Sequence, residues 1–137
     1  MIEGCSHGRV ATCRVWACET RWSASLPSRD KDKAVRFYAK IFGLEYDGPG
    51  PHFAVVKLNK TLTFDFSDSA TFDFHHYASH VSNAEFDSII SRIIKLEIPY
   101  GGSYRSPEDR QLNSTNIDRG LYFKDPDGHS LELLTRL

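Results

Sequence analysis

The stretch GLYFKDPDGHSLELL, residues 120–134, decides the fold of this 137-residue chain. It predicts two short strands, 121–124 and 130–134, because both segments are rich in apolar and aromatic residues. Between them, the turn Asp125-Pro126-Asp127-Gly128 has proline second and glycine fourth, as a type I turn prefers. Glu132 lies among three leucines, where a buried carboxylate needs a cation, a metal ion or several hydrogen-bond donors. The alternative is an edge-strand glutamate that faces water.

Length and composition indicate one ordinary domain with a small-molecule rather than a polymeric partner. The chain is 40% hydrophobic and 26% charged with a formal net charge of -1, so neither nucleic acid nor a membrane surface is favoured. No apolar run suits a transmembrane span or a signal peptide, so we expect a cytoplasmic protein. All three cysteines, Cys5, Cys13 and Cys18, lie near the N-terminus, where a disulfide framework is not expected. A zinc site that includes His7 is the weaker alternative, because the spacing fits no common pattern.

The first half of the chain predicts a strand, a helix and two further strands. Residues 1–19 are interpreted as an N-terminal extension that includes an irregular strand at 9–18. Residues 20–26 are expected to be extended, with Pro27 closing the strand. A helix at 30–42 follows, with N-cap chemistry at residues 28–30 and Gly43 as its C-terminal cap. Strands are predicted at 52–58 and 61–66.

The second half repeats this order. A strand at 76–81 precedes a helix at 83–96, whose start has the Ser82-x-x-Glu85 spacing of a capping box. Residues 100–119 are predicted to be a long polar loop, and loops of that length in compact domains are often functional. The hairpin of residues 120–134 completes the chain.

Matched spacing between the halves indicates an internal repeat. Ser23 lies seven residues before Asp30, and His76 lies seven residues before Asn83, at the starts of the two helices. The strand with Asp65 likewise matches the strand with Glu132. We therefore predict an α+β fold of two βαβββ modules, about 20–70 and 74–137, related by a pseudo-twofold axis within one domain of residues 20–137. A cup-shaped mixed sheet with helices outside would bring the matched positions together, namely Ser23, Asp65, His76 and Glu132.

The chain resembles the vicinal oxygen chelate superfamily, which includes glyoxalase I, bleomycin-resistance proteins and extradiol dioxygenases. The resemblance covers about residues 20–137. It is carried by segments 26–30 and 37–44, by His76-Tyr77-Ala78, and by segment 122–129 together with Glu132.

The resemblance implies a divalent metal ion in the cup, either Fe, Mn, Ni or Zn. A family histidine from one module, a histidine or glutamine from the matching strand and a glutamate from the last strand would hold it. His76 and Glu132 match this pattern, and Glu132 would also be catalytic. Ser23 occupies the position where a histidine is expected, so either Asp65 completes the ligand set or the metal site is weakened.

Five residues are candidates for binding the substrate. Ser23 occupies a matched position, His80 would point the same way as His76, and His52 would reach the mouth of the cup. Tyr122 alternates with a second aromatic residue, so one of the two faces the cup. Arg119 at the end of the long loop would anchor an anion.

Two functions from different classes follow from these residues. The first is a metal-dependent lyase, isomerase or dioxygenase that acts on a small substrate with adjacent oxygens. The second is a drug- or metabolite-binding protein of the bleomycin-resistance type, which the serine at position 23 favours. A plain interaction module is a weaker third. For each, the exposed sheet edges predict a homodimer.

Overall fold

The computed structural model describes residues 22–115 and 118–135. The expected strand at 9–18 and the three cysteines lie outside the described residues. Two helices and mixed sheets confirm the predicted α+β fold. No helix among the described residues has the length and apolar character needed to cross a membrane. In chain order the elements are β1 (Trp22–Ser28), α1 (Lys31–Phe42), β2 (Ala54–Lys57), β3 (Leu62–Asp68), β4 (His76–His80), α2 (Asn83–Lys95), β5 (Tyr100–Gly101), β6 (Asn113–Thr115), β7 (Asp118–Lys124) and β8 (Ser130–Leu134).

The strands form two sheets, one in each module. The first has the order β1-β3-β2, and the second has the order β4-β8-β7-β5 with β6 paired to β7. In each module the first strand runs parallel to the last, and the remaining pairs are antiparallel. Over the described residues, no strand of one sheet pairs with a strand of the other.

The register of the strands confirms the internal repeat. In the first module Ser25 lies opposite Asp65, and in the second module Ala78 lies opposite Glu132. The sequence separation between Ser25 and Ala78 is the same as that between Ser23 and His76. The strand pairing in the two modules is therefore consistent with the predicted match of Asp65 and Glu132. The parallel pair of first and last strands therefore has the same register in both sheets, although the first sheet has three strands and the second has five. The matched positions lie at equivalent points of this pair.

Both predicted helices are present with the caps that their sequences indicate. Asp30 is the N-cap of α1, where its side chain accepts a hydrogen bond from Lys33 N, and Gly43 ends the helix with φ 67°. Ser82 and Glu85 form a complete capping box at the start of α2. Apolar residues of the two helices and one face of each sheet form the core, which includes Leu26, Tyr38, Ile41, Phe66, Phe86, Ile93, Phe123 and Leu133.

The turn of residues 125–128 connects the two modules. It is closed by the Gly128 N–H, which donates to Asp125 O at 3.1 Å, as the predicted turn requires. Tyr38 Oη of α1 donates to Asp125 Oδ2 at 3.0 Å, and Ser28 Oγ donates to Asp127 Oδ2 at 2.5 Å. Burial, followed by the nearby Asp125 carboxylate, raises the pKa of the Tyr38 phenol, so Tyr38 stays a hydrogen-bond donor at neutral pH. Burial also raises the pKa of the Asp125 carboxyl, against the opposing effect of the Tyr38 hydrogen bond. The network fixes the β7–β8 hairpin, and with it Glu132, against the first module.

Several boundaries differ from the sequence prediction, among them the end of β1 and the strands within the long loop. Pro27 lies inside β1 rather than at its end, because β1 pairs with β3 alone within the part of the chain that the structure describes, and an edge strand tolerates a residue without an N–H. The loop predicted at 100–119 contains β5 and β6, and β7 begins at Asp118. These short polar segments pair with β7 but lack the apolar alternation by which strands are identified in a sequence.

Candidate functional site

His76 and Glu132 lie side by side on the face of the second sheet that turns away from the helices. His76 is the first residue of β4, and Glu132 is in the middle of the neighbouring strand β8. Their Nε2 and Oε2 atoms are 3.0 Å apart, and the side chains are only 24% and 12% exposed. The distance suits a hydrogen bond but the direction does not, so the buried Nε2 atom has no hydrogen-bond partner among the described residues.

Tyr122 orients the Glu132 carboxylate from the other side. The two residues are directly opposite each other on β7 and β8, and Tyr122 Oη donates to Glu132 Oε1 at 2.5 Å. Burial, followed by the bond to Glu132, raises the pKa of Tyr122 to about 12. The phenol therefore remains a donor at neutral pH, and one carboxylate oxygen is held while the other faces His76.

Two tyrosine rings approach the His76 imidazole. The ring centroid of Tyr122 is 6.0 Å from that of His76, and the centroid of Tyr104 is 6.2 Å from it. Tyr104 belongs to the long loop that the sequence marked as functional, but no residue pattern distinguished it there. Its only signal was an aromatic residue within a segment otherwise rich in glycine, serine and charge.

The matched positions of the first module do not join this pair within one chain. Ser23 is exposed, and the half-buried Asp65 accepts a hydrogen bond from Thr63 Oγ1 at 3.1 Å. Over residues 22–115 and 118–135, no three side chains of the His, Cys, Asp or Glu type form a group able to hold a metal ion. The structure thus brings together two of the three expected ligands, and the role of Asp65 stays a prediction.

The other candidates lie in different surroundings. His52 is exposed before β2, and His80 is exposed at the end of β4. Arg119 pairs with Asp87 at 2.7 Å and lies over the Phe86 ring at 4.3 Å, which places it against α2. Successive side chains of a strand alternate between faces, so Arg119 and Tyr122 point to opposite sides of β7. Arg119 therefore lies on the other side of β7 from His76, and its role as an anion anchor stays a prediction.

The His76–Glu132 pair has the geometry of two ligands of one ion. Ligand atoms about 2.1 Å from a metal ion and at right angles to each other are about 3.0 Å apart. The buried Nε2 atom without a hydrogen-bond partner and the carboxylate oxygen 3.0 Å from it match this requirement. Imidazole nitrogen and carboxylate oxygen also suit the divalent metals expected from the sequence. The two residues fit a metal ion as a partial ligand set.

Comparisons with known proteins find relatives in sequence and in fold. No family model matches it. It is 26% identical over 121 residues to metallothiol transferase FosB of Lysinibacillus sphaericus, which covers 77% of this chain and 74% of that protein. The solved structure of oxidase ChaP-H2 has a TM-score of 0.79 and 32% identity, with 89% of this chain and 96% of the other covered. For oxidase ChaP-H1 the values are 0.78 and 34%, with 88% and 98% covered.

A glyoxylase/bleomycin resistance protein/dioxygenase domain from Frankia sp. shares the fold, with a TM-score of 0.61 at 20% identity over 86% of this chain and 98% of that domain. This likeness concerns the fold alone. The family is shown by the two relatives above 30% identity, each covered over most of its length. The chain belongs to the vicinal oxygen chelate superfamily.

Proposed function

We propose that this protein is an enzyme that oxidises a small molecule carrying two adjacent oxygens, with dioxygen as the oxidant and His76 and Glu132 at the reaction centre. The observation that carries the proposal is the buried Nε2 atom of His76, which has no hydrogen-bond partner among the described residues and lies 3.0 Å from Glu132 Oε2. Glu132 is the ion-pair neighbour of this nitrogen, but the contact lacks hydrogen-bond geometry, and a buried polar atom without a hydrogen bond calls for a functional explanation. The 32% and 34% identity to two oxidases supports oxidation over thiol transfer.

The chain's own residues supply a base, a hydrogen-bond donor and a ligand pair. When a divalent metal ion is bound by His76 and Glu132, it polarises the two adjacent oxygens of the substrate. Glu132 Oε2 accepts the proton of a substrate hydroxyl when it is not bound to the metal ion, because Oε1 is already held by the Tyr122 phenol. Tyr122, with a pKa of about 12, keeps its proton and fixes the carboxylate during this transfer.

A second candidate function is binding without chemistry. It is favoured by one observation, namely that no third metal-ligand side chain joins His76 and Glu132 among the described residues. In that case the same face would hold a drug or a metabolite, and no reaction would follow.

We further propose that the protein forms a homodimer. Over the described residues β1 pairs only with β3 and β4 only with β8, so each has one unpaired edge. Unpaired strand edges are commonly covered by association between chains.

The first experiment compares the wild type with His76→Gln, and uses His75→Gln as the control because His75 is exposed and lies just before β4. Titration of Ni(II), Mn(II) and anaerobic Fe(II) by calorimetry should show about a 100-fold loss of affinity for His76→Gln, since a first ligand is removed. His75→Gln should bind each metal ion as the wild type does. Oxygen uptake with catechols and α-hydroxyketones then tests the reaction.

Each outcome of this experiment separates the two candidates. Metal binding that depends on His76, together with oxygen uptake, supports the oxidase. Metal binding without uptake of oxygen or conversion of any tested compound favours the binding protein. Equal metal affinity in the wild type and His76→Gln would contradict the proposed reaction centre itself.

A further inference from the structure

The loop between β5 and β6 holds Tyr104 in a defined position. Ser106 N donates to Ser103 O at 3.1 Å and to Ser103 Oγ at 3.0 Å. This bond closes a four-residue turn, and Tyr104 and Arg105 occupy its two central positions. The backbone of the turn is therefore fixed, while both side chains extend from its tip.

The base of the same loop is equally constrained. A Cβ atom at Gly101 would lie 1.9 Å from Ser106 O, so the loop folds back directly over the Gly101 backbone. Asp109 Oδ1 accepts hydrogen bonds from Gly102 N at 3.1 Å and from Gln111 N at 2.9 Å. These contacts connect the two ends of the loop, which makes it a preformed wall beside the second sheet.

The Tyr104 ring is exposed, although it lies beside the largely buried pair of His76 and Glu132. It is 67% exposed, although its centroid is only 6.2 Å from the His76 ring, at an interplanar angle of 40°. The distance and tilt are those of an aromatic contact, and one side of the phenol still faces open space. Tyr122 approaches the same imidazole at 6.0 Å, so the centre lies between aromatic side chains of the loop and of β7.

We propose that Tyr104 is a specificity-determining residue that stacks on a planar unsaturated ring of the substrate while the adjacent oxygens of that ring reach His76 and Glu132. The inference rests on the proposed function, because it names the substrate class of the same site. A fixed aromatic ring provides stacking at little entropic cost, since the turn has already positioned it. An aliphatic compound with the same pair of oxygens cannot stack on the Tyr104 ring and therefore gains no binding affinity from it.

The test uses Ni(II)-loaded protein and two probes, 4-nitrocatechol, which has a planar ring, and acetohydroxamic acid, which offers two adjacent oxygens without a ring. Tyr104→Ala should weaken binding of 4-nitrocatechol about 10-fold, in line with measured stacking contributions. It should leave acetohydroxamic acid within about 2-fold. Tyr104→Phe keeps the ring and should bind both probes as the wild type does.

Phe74→Ala is the control for loss of an exposed aromatic side chain, because Phe74 is 69% exposed and packs near His129 instead of His76. Equal loss of both probes in Tyr104→Ala would assign Tyr104 a structural role and overturn the inference. Unchanged 4-nitrocatechol binding would overturn it as well. If neither probe binds the wild type, the proposed function fails first and the inference fails with it, so the two failures are distinguishable.

Discussion

The two modules differ most at the positions where their backbones agree best. Ser23 and Asp65 in the first sheet occupy the same register as His76 and Glu132 in the second. In the second sheet the pair is in close contact and largely buried, whereas in the first Ser23 is exposed and Asp65 bonds to its neighbour Thr63. The comparison shows that the repeat specifies where a side chain is placed and leaves open which chemistry is placed there.

The difference has a simple physical origin. A serine hydroxyl is a weak ligand for divalent metals, and an aspartate reaches one methylene less far than a glutamate. The second module also provides Tyr122, which holds the carboxylate of Glu132. In the first module the residue that pairs with Asp65 from β2 is the partly exposed Val55, which donates no hydrogen bond from its side chain. Only the second module therefore carries an oriented acid and imidazole.

The largest expected effect contrasts the two matched carboxylates. Glu132→Gln should weaken Ni(II) or Mn(II) binding about 100-fold, because the amide removes the negative charge of a ligand. Asp65→Asn, the same change at the matched position, should stay within about 2-fold, since the structure does not bring Asp65 to His76 and Glu132 in one chain. Both affinities are measured by calorimetry at neutral pH.

If Asp65→Asn weakens metal binding as strongly as Glu132→Gln does, the first module supplies a metal ligand. Because one chain does not bring these carboxylates together, that ligand would come from a second copy of the chain. Repeating the titration across a range of protein concentrations would then show the affinity rising as the dimer forms.

A smaller effect is expected when the pair of the second module is copied into the first. The double variant Ser23→His/Asp65→Glu places imidazole and a longer carboxylate at the matched register, with the hydrogen-bond donor still absent. We expect this copy to bind Ni(II) about 10-fold more weakly than the original pair, as loss of an orienting hydrogen bond typically costs. Calorimetry gives the affinity together with the number of ions per chain.

The stoichiometry sharpens the comparison. Two ions per chain would mean that the sheet faces act separately. One ion per chain, bound more tightly than in the wild type, would mean that the two faces meet in one site. Unchanged affinity and stoichiometry would show that register alone does not build a ligand pair, contrary to our reading of the repeat.

Both helices and the β7–β8 turn could be predicted because capping residues, apolar spacing and turn residues indicate the same structure in each segment. The helix caps at Asp30, Gly43 and Ser82 and the turn at residues 125–128 each have strong sequence signals, and all four are present. The short strands β5 and β6 could not be predicted, because their pairing with β7 depends on distant backbone groups and not on their own apolar pattern.

The site was predictable only where residues repeat. His76 and Glu132 were found by comparing the halves, and the structure places them 3.0 Å apart. Tyr104 has no counterpart in the repeat, so only the folded loop shows that its ring lies beside His76. The sequence could not show that Arg119 belongs to β7 and contacts α2, because this strand starts earlier than its apolar residues indicate.

The smallest expected effect tests whether the two modules share an equally stable frame. Asp30→Ala in α1 and Ser82→Ala in α2 each remove an N-cap, and each should lower the free energy of unfolding by about 1 kcal/mol. Urea unfolding followed by circular dichroism measures both changes. A loss confined to one helix would show that the modules differ in their frame as well as in their chemistry.

The capping box of α2 should make the free energy of unfolding depend on pH, and this dependence tests whether the charge of Glu85 contributes. The backbone N–H and the hydroxyl of Ser82 lower the pKa of Glu85 in the folded protein. Unfolded chains therefore bind the proton more readily, so Glu85 contributes stability above its ordinary pKa and loses it as the pH falls through the lowered value. We expect Glu85→Gln to be less stable than the wild type at pH 7, and the difference to shrink as the solution is acidified below the ordinary glutamate range. A difference that stays constant down to strongly acidic pH would mean that the Glu85 side chain stabilises α2 without its charge.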